Sequence, residues 1–179
     1  MRIIAGSKRG KKLLQQSNPT TRPTTDRVRE NVFNVLSNLI EIKDARVLDL
    51  FAGSGGYGLE CYSRGAKEIV FCDADKQACE IIKKNCKAIG CDALVLNLDF
   101  RQALEKLKSK QFDIVFLDPP YESDFALEAL GIITEQRMLF EDGIIIIESE
   151  KELQIRASRI KTYGRARLYF VALNLQPPQ

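Results

Sequence analysis

The stretch "RVLDLFAGSGGYGLE", residues 46–60, runs from a strand pattern into a helix pattern across a cluster of glycines. Its apolar residues (Val47, Leu48, Leu50, Phe51) are nearly continuous, as expected for a strand covered on both faces. Gly53, Gly55 and Gly58 satisfy G-x-G-x-x-G, and Asp73 follows twenty residues after the first of them. In nucleotide-binding folds such glycines let the backbone pass close to a ligand, and such a carboxylate binds ribose hydroxyls. A tight strand-to-helix turn also uses glycines, so the motif needs its context.

Outward from this loop, apolar runs alternate with amphipathic ones. "EIVFCD" (68–73), "ALVLNLD" (93–99), "FDIVFLD" (112–118) and "GIIIIESE" (143–150) read as strands. "KQACEIIKKNCKAIG" (76–90), "RQALEKLKSK" (101–110) and "DFALEALGIIT" (124–134) read as helices between them. Strand–helix alternation predicts a doubly wound, mostly parallel α/β sheet of the Rossmann-like kind. The tail, broken at Gly164, predicts a closing antiparallel hairpin. Upstream, "RIIAGSKRGKKLL" (2–14) reads as a small β-hairpin around a basic turn, and "SNPTTRPTT" (17–25) as a connector. Val28, Val32, Val35, Leu36, Leu39 and Ile40 recur at helical spacing, predicting a helix over roughly 26–40 with Thr24, Thr25 or Asp26 as its N-cap. These readings divide the chain into an N-terminal extension, 1–42, and a main domain, 43–179.

Composition narrows the chemistry. The 179 residues include no histidine, which excludes Ser–His hydrolases, Cys–His proteases and His-ligated metal centres. Five cysteines form no C-x-x-C pair and are odd in number, so neither a disulfide framework nor a metal site is expected. The longest apolar run, Ile144–Ile147, is far short of a membrane span, and the N-terminus has no signal-like apolar segment. A cytoplasmic protein is expected. Residues 1–30 hold eight Lys/Arg against Asp26 and Glu30, so they carry +6 of a total +3 and the rest is net negative. A basic arm on a mildly acidic body points to a polyanion. Lys8, Arg9, Lys11 and Lys12 at the tip of the predicted hairpin are the candidate phosphate contacts.

Ligands of such sheets bind outside the carboxyl ends of the strands, where this sequence places Asp49, Asp73, Asp99, Asp118 and Glu148. Asp49, four residues before Gly53, would repel a pyrophosphate but suits a ligand with an ammonium or sulfonium. S-adenosylmethionine fits. Asp49 would face its methionine amine, directly or through water, and Phe51, Ala52, Gly53 and Gly55 would let it lie along the loop. Asp73, with Ala74, would take the ribose hydroxyls, and Asp99, beside Phe100, the adenine amine. Strand four then ends in "DPPY", Asp118–Tyr121. The lone pair of a nucleobase amine is delocalised, and two acceptors aimed at its N–H groups hold the nitrogen ready for an in-line methyl. Asp118 supplies one acceptor and the carbonyl of Pro119 the other. Pro120 stiffens the loop, and Tyr121 offers a ring on which an extruded base can stack.

These motifs, with "RPTTDRVRENVFNVL" (22–36), "SRGA" (63–66), "IIIES" (145–149) and "GRARLYF" (164–170), resemble the bacterial small-subunit rRNA guanine-N2 methyltransferases, the class that modifies guanine 966 of 16S rRNA. The resemblance covers nearly the whole chain. It implies the class I S-adenosylmethionine-dependent methyltransferase fold, S-adenosylhomocysteine as product and no metal. It also implies a 16S rRNA substrate in the assembling or assembled 30S subunit. Arg22, Thr24 and Arg27 would lie near substrate or cofactor. A monomer is the simplest expectation, and N6-adenine methylation of DNA or rRNA is the alternative activity. Gly56 and Tyr57 stand where the family usually has Ala-Leu, so Tyr57 either alters the cofactor lip or faces outward. Asp73 replaces a more usual Glu.

Overall fold

The computed structural model describes residues 1–15, 26–120 and 123–172. Its centre is a seven-stranded sheet in the order β3-β2-β1-β4-β5-β7-β6. The strands are β1 (Arg46–Asp49), β2 (Glu68–Asp73), β3 (Leu94–Asn97), β4 (Phe112–Leu117), β5 (Leu139–Ser149), β6 (Arg159–Tyr163) and β7 (Ala166–Ala172). The first five are mutually parallel. β7 inserts antiparallel between β5 and β6, so the predicted closing hairpin is present. The helices are α1 (Asp26–Leu36), α2 (Gly56–Ser63), α3 (Lys76–Ile89), α4 (Phe100–Leu107) and α5 (Phe125–Glu135).

Alternate residues of each strand face opposite layers. Val47, Ile114, Phe116, Ile144 and Ile146 pack with residues of α1, α2 and α3. Leu48, Val115, Leu117, Ile145 and Ile147 pack with α4 and α5. Both faces are covered, and for that reason the strands read as continuous apolar runs. The same two-residue period carries Asp49, Asp118 and Glu148 onto the α1/α2 side. Strand order reverses between β1 and β4, opening a crevice at the carboxyl ends where such folds bind ligands.

Three expectations need correction. The N-terminal segment is not a two-stranded hairpin: a single bridge, Arg2 to Lys12, closes a loop of turns. Its backbone is held by side chains of α2 instead of a ladder. The buried Glu60 carboxylate accepts from the Ile4 and Ala5 N–H groups at 2.8 and 2.9 Å. Ser63 accepts from Ser7 N–H at its carbonyl (2.7 Å) and from Lys8 N–H at its Oγ (2.9 Å). A Cβ on Gly6 would lie 1.9 Å from the Ser63 carbonyl oxygen, so only glycine permits this docking. Second, α1 ends at Leu36 rather than near residue 40. Ser37 Oγ and Asn38 Nδ2 donate to the carbonyls of Phe33 and Asn34, and side-chain bonds of this kind compete with the helical ladder. Third, β3 ends at Asn97, and Asp99 is the N-cap of α4, accepting from Arg101 N–H at 2.9 Å.

The N-terminal residues share the sheet's core: Ile3, Leu13, Val32 and Phe33 belong to the α1/α2-side cluster.

Candidate functional site

The glycine loop leaves β1 and enters α2. Gly53 and Gly55 have φ of 54° and 82°, left-handed conformations that glycine alone adopts freely. A Cβ on Gly53 would meet nothing within 4 Å, so the loop's backbone borders open space there. Asp73, at the end of β2, fastens the loop: its carboxylate accepts from Gly53 N–H and from Asp75 N–H, both at 2.8 Å. Burial raises the Asp73 pKa, and those two N–H groups hold it down. Ala52 is buried and donates its N–H to Cys72. Ala74 is exposed, its carbonyl accepting from Asn97.

Asp49 lies deeper than expected. It is 1% exposed, beneath the loop, and its carboxylate accepts from Gly58 N–H in the first turn of α2 at 3.0 Å. Burial pushes its pKa up to about 7, against the pull of that N–H and with a contribution from Asp73. It therefore anchors α2 first, and any influence on a ligand is exerted from below.

Asp99 is half exposed and pairs with Arg101 at 3.5 Å. Beside it Phe51 and Phe125 flank Phe100, with ring centroids 5.3 and 5.1 Å away. The Arg101 guanidinium lies 4.3 Å from the Phe100 centroid and is gripped through Nε and Nη2 by Glu128. An acceptor edge beside aromatic surface is what a purine requires. Sequence reasoning missed Phe125, Arg101 and Glu128, which lie on two helices that only the tertiary fold brings together.

Beyond β4, Asp118 is half-buried, Pro119 buried and Pro120 exposed. The Pro120 carbonyl is occupied by Ser123, accepting from its N–H (3.1 Å) and Oγ (2.7 Å). β4 and β5 align Leu117 with Ile147, which sets Asp118 beside Glu148. Glu148 is 5% exposed and accepts from the Tyr57 hydroxyl at 2.9 Å. Tyr57 thus faces inward, not outward. Its ring stacks on Phe116 at 4.7 Å and 7°. Burial, then the charges of Glu148 and Asp118, push its pKa well up, so the phenol stays a donor. Tyr57 and Glu148 are site residues the motifs did not identify. The signal lay in Tyr57's departure from the usual Leu and in Glu148's position at a strand end.

The basic residues at the N-terminal loop lie outward: Arg9, Lys11 and Lys12 are exposed and Lys8 partly so. None pairs with a carboxylate among the described residues. Arg27 on α1 is also exposed. Asn85 of α3 joins this loop to the glycine loop, donating to the carbonyls of Leu14 and Ser54 at 3.0 Å and accepting from Leu14 N–H. Arg22, Thr24 and Tyr121 lie outside the described residues. Among those described, the five cysteines are free and buried, and no group of side chains could hold a metal.

A doubly wound sheet with a glycine loop at its switch point and an Asp-Pro-Pro turn on the adjacent strand defines a Rossmann-like, S-adenosylmethionine-dependent methyltransferase. The family described as "Conserved hypothetical protein 95" matches residues 1–172. The "Putative rRNA methyltransferase YlbH" of Bacillus subtilis is 38% identical over 175 residues, 92% of this chain and 94% of that one. The "Ribosomal RNA small subunit methyltransferase D" of Escherichia coli K12 is 38% identical over 153 residues, 85% and 76% of the two chains. The solved "Putative methyltransferase yhhF from Escherichia coli" superposes with a TM-score of 0.84 at 34% identity, covering 95% of this chain and 96% of that one. The chain belongs to this family of ribosomal RNA small subunit methyltransferase D proteins.

Proposed function

We propose that this protein methylates the exocyclic N2 amine of a guanine, of the guanine 966 class, in 16S rRNA. It would act as a cytoplasmic monomer on the assembling or assembled 30S subunit. The observation that carries this reading is the placement of Asp118 and Pro119 across the crevice mouth from the glycine loop, with Glu148 on the neighbouring strand. The donor set fits the cofactor: an open glycine backbone, a carboxylate at the end of β2, and an acceptor beside aromatic rings on α4.

When bound, S-adenosylmethionine supplies a methyl group on a sulfonium and leaves as S-adenosylhomocysteine. Asp118 and the Pro119 carbonyl accept the two amine hydrogens, orienting the nitrogen lone pair toward the methyl and stabilising positive charge as it develops. Asp118 then takes the proton that the methylated amine must lose. Glu148, held by Tyr57, presents a second carboxylate where the Watson–Crick edge of the base arrives. Guanine carries a hydrogen at N1 as well as at N2, whereas adenine has an acceptor at N1, so paired carboxylates favour guanine. The basic loop contacts phosphate and positions without reading sequence.

The test is methyl transfer from labelled S-adenosylmethionine to purified small subunits lacking the modification, with nucleoside mass spectrometry. N2-methylguanosine is the expected product; N6-methyladenosine would move the assignment to the adenine enzymes. Asp118→Ala should lower turnover by about 10³-fold or more while cofactor affinity changes by less than about threefold.

A further inference from the structure

Arg29 of α1 is 1% exposed. Its Nη2 is satisfied, donating to the carbonyl of Arg2 and to Asp26 Oδ1. Its Nε and Nη1 are buried and have no hydrogen-bond partner. A guanidinium has five donors and no acceptors, and leaving two of its nitrogens dry and unpaired is costly. Burial pulls its pKa down, offset by Asp26 and more weakly by Glu60 and the Tyr57 phenol, and reinforced by Arg64.

The unsatisfied edge is turned toward the start of α2. A Cβ on Gly56, the first residue of that helix, would stand 3.0 Å from Arg29 Nη1 and 2.9 Å from Met1 Sδ. Most family members carry Ala here; glycine removes the methyl that would fill this point. A cation beside a helix N-terminus is electrostatically disfavoured, unless an anion lies between them. This helix begins in the glycine loop, beside the open backbone at Gly53.

We propose that Arg29 is the receptor for the α-carboxylate at the methionine end of the cofactor, forming one anion site with the first turn of α2. The carboxylate takes Nε and Nη1 in the paired geometry that arginine and carboxylates share. The N-terminal N–H groups of α2 face it from the other side. The thioether of Met1, a flexible chain end, moves aside to admit it. The assignment rests on the crevice being the S-adenosylmethionine site. It also accounts for the docking of the N-terminal segment: Arg29 holds the Arg2 carbonyl on one edge and the ligand on the other.

The experiment compares two ligands that share the thioether and adenosine and differ in the amino-acid group. Titration calorimetry with S-adenosylhomocysteine and with 5′-methylthioadenosine is run on wild type, Arg29→Lys and Arg29→Met. Arg29→Met should weaken S-adenosylhomocysteine by roughly ten- to a hundredfold and leave 5′-methylthioadenosine within about twofold, with Arg29→Lys between. Equal loss of both ligands, or loss of neither, would overturn the assignment. Should the variants fail to fold, the side-chain Nε–H resonance of Arg29 in ¹⁵N-labelled wild type gives the same answer. It should shift with S-adenosylhomocysteine and stay put with 5′-methylthioadenosine; an equal response to both, or to neither, refutes the proposal. If wild type bound neither ligand, the fault would lie with the cofactor reading itself.

Discussion

Asp49 makes the folded protein sensitive to pH in a direction opposite to that of a salt-bridged carboxylate. Its pKa is raised to about 7 from 3.8, so the folded state holds a proton that the unfolded chain has released between those values. Stability from this group is complete below about pH 4 and is lost as pH rises through about 7. A shift of about three units corresponds to about 4 kcal/mol in total, of which about 2.5 kcal/mol falls between pH 5 and pH 8. Asp49→Asn removes the ionisation while keeping an acceptor for Gly58 N–H. Urea unfolding of both proteins at pH 5 and pH 8 isolates the effect, because every other titrating group is shared. Wild type should lose stability relative to the variant by about 2.5 kcal/mol across that interval. Parallel pH profiles would refute the reasoning and show that Asp49 ionises normally beneath the loop. With saturating S-adenosylhomocysteine the wild-type decline should shrink, since an ammonium above the loop favours the carboxylate.

Tyr57→Phe keeps the stack on Phe116 but strips Glu148 of its donor; a loss of about 1–3 kcal/mol in stability is expected. In a double-mutant cycle with Glu148→Gln the coupling should exceed about 1 kcal/mol, and additivity would show that the bond contributes nothing. For the basic loop, the slope of log affinity for rRNA against log salt should fall by about 0.7–0.9 for each of Lys8, Arg9, Lys11 and Lys12 changed to Ala. An unchanged slope, measured by filter binding, would remove the loop from the interface.

Much of this site was legible in the residues. The glycine spacing, Asp73 and "DPPY" announce themselves because they are local: a turn needs glycine at particular positions, and prolines stiffen the chain wherever they stand. Strand–helix alternation likewise follows from short apolar runs set between amphipathic ones. The N-terminal hairpin misled because its alternation suits a ladder, while its actual partners, Glu60 and Ser63, lie more than fifty residues away. Asp99 misled by one element for a related reason, since a carboxylate just past a strand can equally cap the next helix.

The sequence by itself determined which segments become strands and helices, where the cofactor loop lies, and which carboxylate opens the catalytic turn. These depend on periodicity and backbone chemistry within a few residues. Only the tertiary structure decided that Tyr57 turns inward to Glu148, that Asp49 is buried and partly protonated near neutrality, and that Arg29 points two unsatisfied nitrogens at α2. Burial and hydrogen-bond satisfaction belong to pairs of residues from different elements, and those pairings exist only once the sheet has assembled and its helices have packed against it.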